Sequence, residues 1–331
     1  MARGALHRLG VRALSTVLVT YGGYALDDPE CGGALQANGL ELRVSPRERH
    51  RSADEMVELL DGAVAAIADA DLYDAEVLRR SPGLRVIART GVGLDMIDLD
   101  AAARAGVYVT TTPEVNNETV ADHALALILA AQRSLLEQDA IVRGGGWRSF
   151  AVGRGQLHGT TAGIVGYGAI GRAVARRLRG FGVRILACDP FVTEAQEGVT
   201  LTDLDDLLAQ SDVVTVHAPL TEATRKLLGA REFALMRPGA TIVNTARGPV
   251  IDETALVRAL KEGRIGAAGL DVFEREPPAE SPLLEMRNVV LSPHVGGISD
   301  ASNLAMSRLA TENVLAVLEG REPPTAVTWP R

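Results

Sequence analysis

Residues 160–171 read TTAGIVGYGAIG: an apolar run, Thr160–Val165, then Gly166-Tyr167-Gly168-Ala169-Ile170-Gly171, opening a helix-like stretch Ala169–Leu178. A strand, a glycine turn and a helix in immediate succession form the first half of a βαβ unit that receives a dinucleotide. Gly166 permits the tight turn, Gly168 lets backbone approach a pyrophosphate, and Gly171 allows close helix–strand packing. The helix start contributes unpaired N–H groups and a positive dipole end. The next apolar run, Arg184–Cys188, ends at Asp189, about 20 residues on. A carboxylate there accepts from both ribose hydroxyls and repels a 2′-phosphate, so the spacing points to NAD rather than NADP. The plain alternative is a strand-end turn residue before Pro190.

Working outward, short apolar runs alternate with helix-like stretches along nearly the whole chain. Thr16–Thr20, Ala63–Ile67, Leu84–Ala88 and Val107–Thr110 read as strands, with helices over Ala53–Leu60, Asp74–Arg80 and Asp100–Ala105 between them. A second strand series runs through Thr160–Val165, Arg184–Cys188, Val213–His217, Thr241–Asn244, Ala267–Leu270 and Val289–Leu291. Strands spaced by helices, and continuously apolar rather than alternating, imply parallel sheets covered on both faces. An α/β fold with two doubly wound lobes is the expectation. One long helix, Thr119–Gln138, bridges the two series, followed by glycines at 144–146, 153 and 155. A last helix, Ala301–Glu319, precedes Pro323 and Pro324.

Composition agrees. The 331 residues suggest two domains at about 150 residues each. Hydrophobic residues at 47% against 23% charged match a globular chain, not a disordered one. A net charge of −8 argues against nucleic acid and anionic membrane as partners. The longest apolar stretch, Val120–Ala131, is interrupted by Asp122 and His123 and is too short to span a bilayer. Two cysteines, Cys31 and Cys188, make no disulfide framework and fit a cytoplasmic setting. Arg3, His7, Arg8 and Arg12 without an acidic neighbour have the composition of a transit peptide. Residues 1–15 are nevertheless expected to be a loose extension.

Of six histidines, none is spaced for a metal site. His217 and His294 both follow strands, where open α/β sheets bind ligands; position alone leaves each open between a cofactor-side and a structural role. Arg247, Asp271 and Glu276 sit at comparable strand ends. An arginine can clamp a carboxylate bidentately. An imidazolium can protonate a developing alkoxide, and a neighbouring carboxylate favours its charged form. Each alone also reads as an ordinary loop charge; together Arg247, Glu276 and His294 make the set that carbonyl reduction would need, and spacing does not show that they converge.

Six blocks carry a resemblance: RTGVGLDMID at 89–98, TPEVN at 112–116, VGYGAIGR at 165–172, NTARGPVID at 244–252, GLDVFEREPP at 269–278 and SPHVGG at 292–297. In this order they resemble the D-isomer-specific 2-hydroxyacid dehydrogenases, in particular the phosphoglycerate dehydrogenase-like branch. The resemblance implies a Rossmann-type NAD-binding domain, 116–298, inserted into a flavodoxin-like substrate-binding domain, 16–115 plus 299–331. It implies Arg247 as substrate-orienting arginine, His294 as acid/base and Glu276 as its paired carboxylate. It places Gly166, Gly168, Ala169, Ile170, Gly171, Asp189, His217, Pro219, Thr224, Thr245, Ala246, Arg247, Asp271, His294, Gly296 and Gly297 along NAD. Thr90, Gly91, Val92 and Gly93, with Arg247 and His294, would take a small 2-hydroxy or 2-keto acid. A homodimer through the NAD-binding domain is also implied.

Departures bear on the substrate. Met96 follows Asp95 where the family usually has Asn, and Asp122 replaces the common Glu. At 67–73, IADADLY carries Asp69 and Asp71 where phosphoglycerate-using relatives commonly place an arginine, and two carboxylates there would repel a phosphate. The expectation is therefore a 2-hydroxy or 2-keto acid in general, with a phosphoglycerate-like substrate left open and Arg89 the first cation to consider for it. Two alternatives keep the same scaffold: an NAD(H)-sensing, corepressor-like binding protein, and a phosphite- or formate-type dehydrogenase.

Overall fold

The computed structural model describes residues 15–47, 49–148 and 155–330. The basic run Arg3–Arg12 and Gly153 lie outside them. In chain order the first part comprises β1 (Ser15–Val19), α1 (Gly32–Ala37), β2 (Leu40–Val44), α2 (Ala53–Leu60), β3 (Ala63–Ala68), α3 (Ala75–Arg80), β4 (Val86–Arg89), α4 (Leu99–Arg104) and β5 (Tyr108–Thr110). The middle part holds α5 (Asn117–Gln132), α6 (Leu135–Arg143), β6 (Thr161–Val165), α7 (Ala169–Arg179), β7 (Arg184–Cys188), β8 (Val199–Leu201), α8 (Leu204–Gln210) and β9 (Val213–Val216). It continues with α9 (Ala230–Leu235), β10 (Ala240–Asn244), α10 (Glu253–Lys261), β11 (Ile265–Leu270) and β12 (Val289–Leu291). The chain closes with α11 (Asp300–Leu318) and β13 (Ala326–Thr328).

Contacts divide the chain into two units, one running to Asn116 and resuming at Ile298, the other Asn117–Gly297. The first has a six-stranded sheet in the order β13-β5-β4-β3-β1-β2. Its strands are parallel except β13, which pairs antiparallel with β5 and amends the all-parallel expectation. The order reverses between β1 and β3, and the loop after β4 carries Thr90–Gly93. The second unit has a seven-stranded parallel sheet, β12-β11-β10-β9-β6-β7-β8. It reverses between β6 and β9, and the glycine turn follows β6 at that switch point, where open sheets take ligands.

The central strands are the continuously apolar ones. β1 and β10 are buried at every residue, because helices cover both faces of a parallel sheet. The three strands absent from the apolar-run pattern are β2, β8 and β13, all at sheet edges, short or studded with polar residues. Aspartates at the helix entrances repeat one local device: Asp74, Asp98, Asp203 and Asp252 each accept the N–H three residues on. That satisfies a donor left unpaired by the first helical turn.

One expected element is divided. The long helix expected over 119–138 is two helices, α5 and α6, broken at Ser134, whose φ of 47° lies in the left-handed region. The polar run Gln132-Arg133-Ser134 ends the apolar face there. α5 buries Val120, Ala121, Ala124, Leu125, Leu127, Ile128 and Ala131, whereas α6 buries no residue.

Candidate functional site

The β6–β7 register pairs Val165 with Cys188, which sets Gly166 level with Asp189. Asp189 then ties the turn together: the Tyr167 amide donates to Oδ2 (2.8 Å) and the Phe191 amide to Oδ1 (2.9 Å). Each carboxylate oxygen keeps a second lone pair for a ribose hydroxyl. The three glycines are required for three different reasons. Gly166 has φ +90° and would set a Cβ 2.5 Å from the Ala218 amide; Gly171 would set one 2.2 Å from the Gly166 carbonyl. Gly168 has nothing within 4 Å of its missing Cβ. The chain's own packing does not demand a glycine at 168, so that open space is a cradle a ligand would fill. Gly168 caps α7 with no side-chain hydrogen bond, and no acidic residue stands in the first turn. The unpaired amides and the dipole end there suit a pyrophosphate. Gly168, Ala169 and Ile170 are exposed or half-exposed, as that requires.

Not every residue expected along NAD presents its polar atoms outward. His217 is half-buried, with Nε2 2.9 Å from Thr215 Oγ1 and Nδ1 3.4 Å from Thr245 Oγ1. Burial pulls its pKa down to about 3, so the ring is neutral. Thr224 closes a turn of its own, its hydroxyl donating to the Pro219 carbonyl at 2.6 Å and accepting from the Thr221 amide.

The chemistry-bearing residues come together on the ends of β10, β11 and β12. Register sets Asn244 beside Leu270 and Leu270 beside Leu291, so the segments beginning at Thr245, Asp271 and Ser292 leave the sheet side by side. Asn244, buried, shapes the first: its Oδ1 accepts the Ala246 amide and its Nδ2 donates to the Arg247 carbonyl, both at 2.9 Å. Gly248 follows Arg247 against the Phe273–Glu274 backbone, where a Cβ would lie 1.8 Å from the Phe273 carbonyl oxygen. His294 Nδ1 is 2.8 Å from Glu276 Oε2, and Glu276 Oε1 accepts the Phe273 amide at 3.1 Å. Burial pushes the Glu276 carboxyl up, but the hydrogen bonds from His294 and Phe273 and the charge of Arg247 outweigh it, leaving the pKa below its ordinary value. Glu276 is thus an anion beside an imidazole, with the Arg247 guanidinium near enough to influence it.

Asp271 is more than a cofactor-lining residue. Its backbone carbonyl accepts the His294 amide (2.8 Å), Oδ1 accepts the Val295 amide (2.9 Å), and Oδ2 accepts the Gly296 amide (2.8 Å). His294 itself sits at φ 55°, a left-handed conformation that a non-glycine residue keeps only when its surroundings impose it. Burial raises the Asp271 pKa, yet the hydrogen bonds from His123, Ser292, Val295 and Gly296 win and hold it at about 2. Gly296 is needed here, since a Cβ would lie 2.8 Å from Asp271 Oδ2. The sequence pattern missed His123, Ser292 and Asn244, none of which has a spacing signal to the triad.

In the first unit the Thr90–Gly93 loop follows β4. Thr90 is buried, its hydroxyl donating to the Ala68 carbonyl at 2.9 Å, so it anchors the loop from below. The Gly91 amide donates to Thr112 Oγ1 at 2.6 Å, and Gly91 has φ +119°. Val92 is exposed and Gly93 half-exposed. The repulsion expected from Asp71 is corrected: its side chain is fully buried and paired with Arg51 at 2.9 Å. Asp69 lies 3.9 Å from Arg89, whose guanidinium also donates to the Thr90 carbonyl. Each arginine therefore has its own carboxylate. Among the described residues no cluster of three metal-ligating side chains occurs, and no helix is long and apolar enough to cross a membrane.

A dinucleotide-shaped turn and an arginine–glutamate–histidine set on one α/β unit define an NAD-dependent oxidoreductase acting on hydroxy and keto acids. Comparison with known proteins gives the family. Residues 125–296 match the model of the D-isomer specific 2-hydroxyacid dehydrogenase NAD binding domain. The glyoxylate reductase of Korarchaeum cryptofilum is 44% identical over 85% of this chain and 84% of its own. The D-3-phosphoglycerate dehydrogenase of Archaeoglobus fulgidus is 38% identical over 89% of this chain and 56% of its own. Among solved structures, the TT0316 protein from Thermus thermophilus superposes with a TM-score of 0.86 at 41% identity, covering 95% of this chain and 100% of that one. The chain belongs to the D-isomer-specific 2-hydroxyacid dehydrogenases.

Proposed function

We propose that the protein reduces small, unphosphorylated 2-keto acids, glyoxylate among them, to 2-hydroxy acids with NADH. The observation that carries this is the His294 Nδ1–Glu276 Oε2 contact of 2.8 Å beside Arg247. Glu276 occupies Nδ1, fixing the ring's orientation and leaving Nε2 to exchange a proton with the substrate's C2 oxygen. Arg247 takes the α-carboxylate through its planar fork. When bound, the dinucleotide supplies or accepts the hydride at C2. Gly168, Ala169, Ile170, Asp189, Thr245, Ala246, Gly296 and Gly297 are the residues assigned to holding it, Asp189 favouring NAD through the ribose hydroxyls.

The substrate class follows from charge. A phosphate needs an unneutralised cation, and Arg51 and Arg89 are each matched by a carboxylate, Asp71 and Asp69. The relative named glyoxylate reductase supports a small acid. Residues 16–115 plus 299–331 are proposed as the substrate-binding domain and 116–298 as the NAD-binding domain. Self-association through the latter is supported by α6 and the residues after it, where Leu135, Leu136, Val142 and Trp147 are more than half exposed. Large apolar side chains exposed together on one short segment fit an interaction face. A cytoplasmic location is supported by two free cysteines. Kinetics of His294→Ala and Arg247→Ala test the assignment. General acid catalysis typically contributes about 10²–10⁴-fold, so His294→Ala should lose turnover on that scale. Wild-type turnover in His294→Ala would overturn it.

A further inference from the structure

We propose that His123, on α5, is a positioning residue for the reaction: it orients the His294 loop through Ser292 and Asp271. The inference rests on His294 being the acid/base.

Proton bookkeeping carries it. Asp271 is an anion and can only accept. Ser292 Oγ lies 2.6 Å from Asp271 Oδ1 and 2.8 Å from His123 Nε2. The hydroxyl has one proton, and at that distance from a carboxylate it goes to Asp271; pointed the other way, two sets of lone pairs would face each other. His123 must therefore donate from Nε2 to Ser292 Oγ. The same Nε2 lies 3.3 Å from Asp271 Oδ1. The chain of donors runs from α5 through Ser292 to a carboxylate that holds the amides of residues 295 and 296. Those two peptides, with the His294 amide on the Asp271 carbonyl, impose the left-handed φ of 55° on His294. Without the donor at 123, Ser292 loses its partner on α5 and Asp271 loses its tie to that helix, so the carboxylate is held by Ser292 and the Val295 and Gly296 amides and can shift with the loop.

The packing is as close as the hydrogen bonding. A Cβ on residue 296 would lie 3.3 Å from His123 Cδ2 as well as 2.8 Å from Asp271 Oδ2. The imidazole thus borders the space beside Gly296, two residues beyond His294, which a side chain there would have to share. Misplacing a reacting group by about 1 Å costs on the order of 10²-fold in rate.

The test compares His123→Phe, which keeps a flat ring without a donor, His123→Gln, whose amide places a donor near Nε2, and Ser292→Ala. Measured with glyoxylate and NADH, His123→Phe should lower kcat at least about tenfold with KM within about threefold. His123→Gln should restore most of it. In the His123→Phe/Ser292→Ala double variant the losses should not multiply, because both break one chain of donors. Wild-type kcat in His123→Phe, or equal loss in the Phe and Gln variants together with a lowered melting temperature, would overturn the proposal. Multiplicative losses in the double variant would do so too. His294→Ala is run alongside: if it stays active, the acid/base assignment fails; if it is inactive while His123→Phe is not, only the role of His123 fails.

Discussion

Gly248→Ala tests how tightly the fold holds its chemistry. The added Cβ would fall 1.8 Å from the Phe273 carbonyl oxygen, 1.9 Å from its carbon and 2.5 Å from the Glu274 nitrogen. These are backbone atoms, so no rotamer change relieves the clash. The two segments must part by about 1.5 Å to reach ordinary van der Waals separation. Arg247 lies one residue before the clash, and the Phe273 amide on the other side is a partner of Glu276. The parting therefore moves the arginine away from the histidine–glutamate pair. Overpacking of this kind costs about 1–3 kcal/mol, and a shift of about 1 Å in a reacting group costs on the order of 10² in rate. Steady-state NADH oxidation with saturating glyoxylate, well below the melting temperature, should show kcat down about 100-fold. A thermal melt should show a drop of several degrees. A variant with wild-type kcat and wild-type melting temperature would refute the claim that this backbone contact holds the arginine in place.

Gly168→Ala should behave in the opposite way. Nothing lies within 4 Å of its Cβ, so the melting temperature without cofactor should stay near that of the parent, while NADH affinity measured by fluorescence titration falls at least about tenfold as the methyl blocks the pyrophosphate's approach. The acid limb of stability should begin early. His217 is held neutral by burial down to about 3 against an ordinary 6.5, so between those values the unfolded chain binds a proton that the folded chain does not, and stability falls as pH drops from 6.5. Urea midpoints across that window should decline in the parent and flatten in His217→Gln. Asp271, depressed to about 2 from 3.8, adds stability that is present above 3.8 and lost as pH falls through 2, a lower window that begins before the His217 window closes at about 3.

The elements most legible in the sequence were those whose burial is two-sided. β1, β6, β9 and β10 are largely apolar runs because helices cover both faces, and the glycine turn after β6 announces itself because Gly166 and Gly171 answer close backbone contacts while Gly168 leaves open space. Edge strands escaped: β2 and β8 face solvent on enough positions that no apolar run remains, and β13 follows two prolines. The break at Ser134 was hidden because Leu135 and Leu136 resume an apolar pattern after only three polar residues, although α6 buries none of its own. For the site, Arg247, Glu276 and His294 carry functional groups that chemistry asks for, and strand-end position made them candidates. His123 and Asn244 lack that visibility. The Asn244 side chain bonds the backbone of Ala246 and Arg247 beside it and carries no group the reaction asks for, while no local pattern encodes that His123 and Ser292 meet 169 residues apart. Asp71 was misjudged for the same reason, since its partner Arg51 is 20 residues earlier in an irregular segment.

The central claim, reduction of an unphosphorylated 2-keto acid with NADH, is tested most directly by following NADH consumption with glyoxylate, pyruvate, hydroxypyruvate and 3-phosphohydroxypyruvate, each repeated with NADPH. The predicted result is turnover on the unphosphorylated acids, little on the phosphorylated one, and a preference for NADH. Preferential turnover of 3-phosphohydroxypyruvate would contradict it, and would mean that the Arg51–Asp71 or Arg89–Asp69 pair opens to take a phosphate.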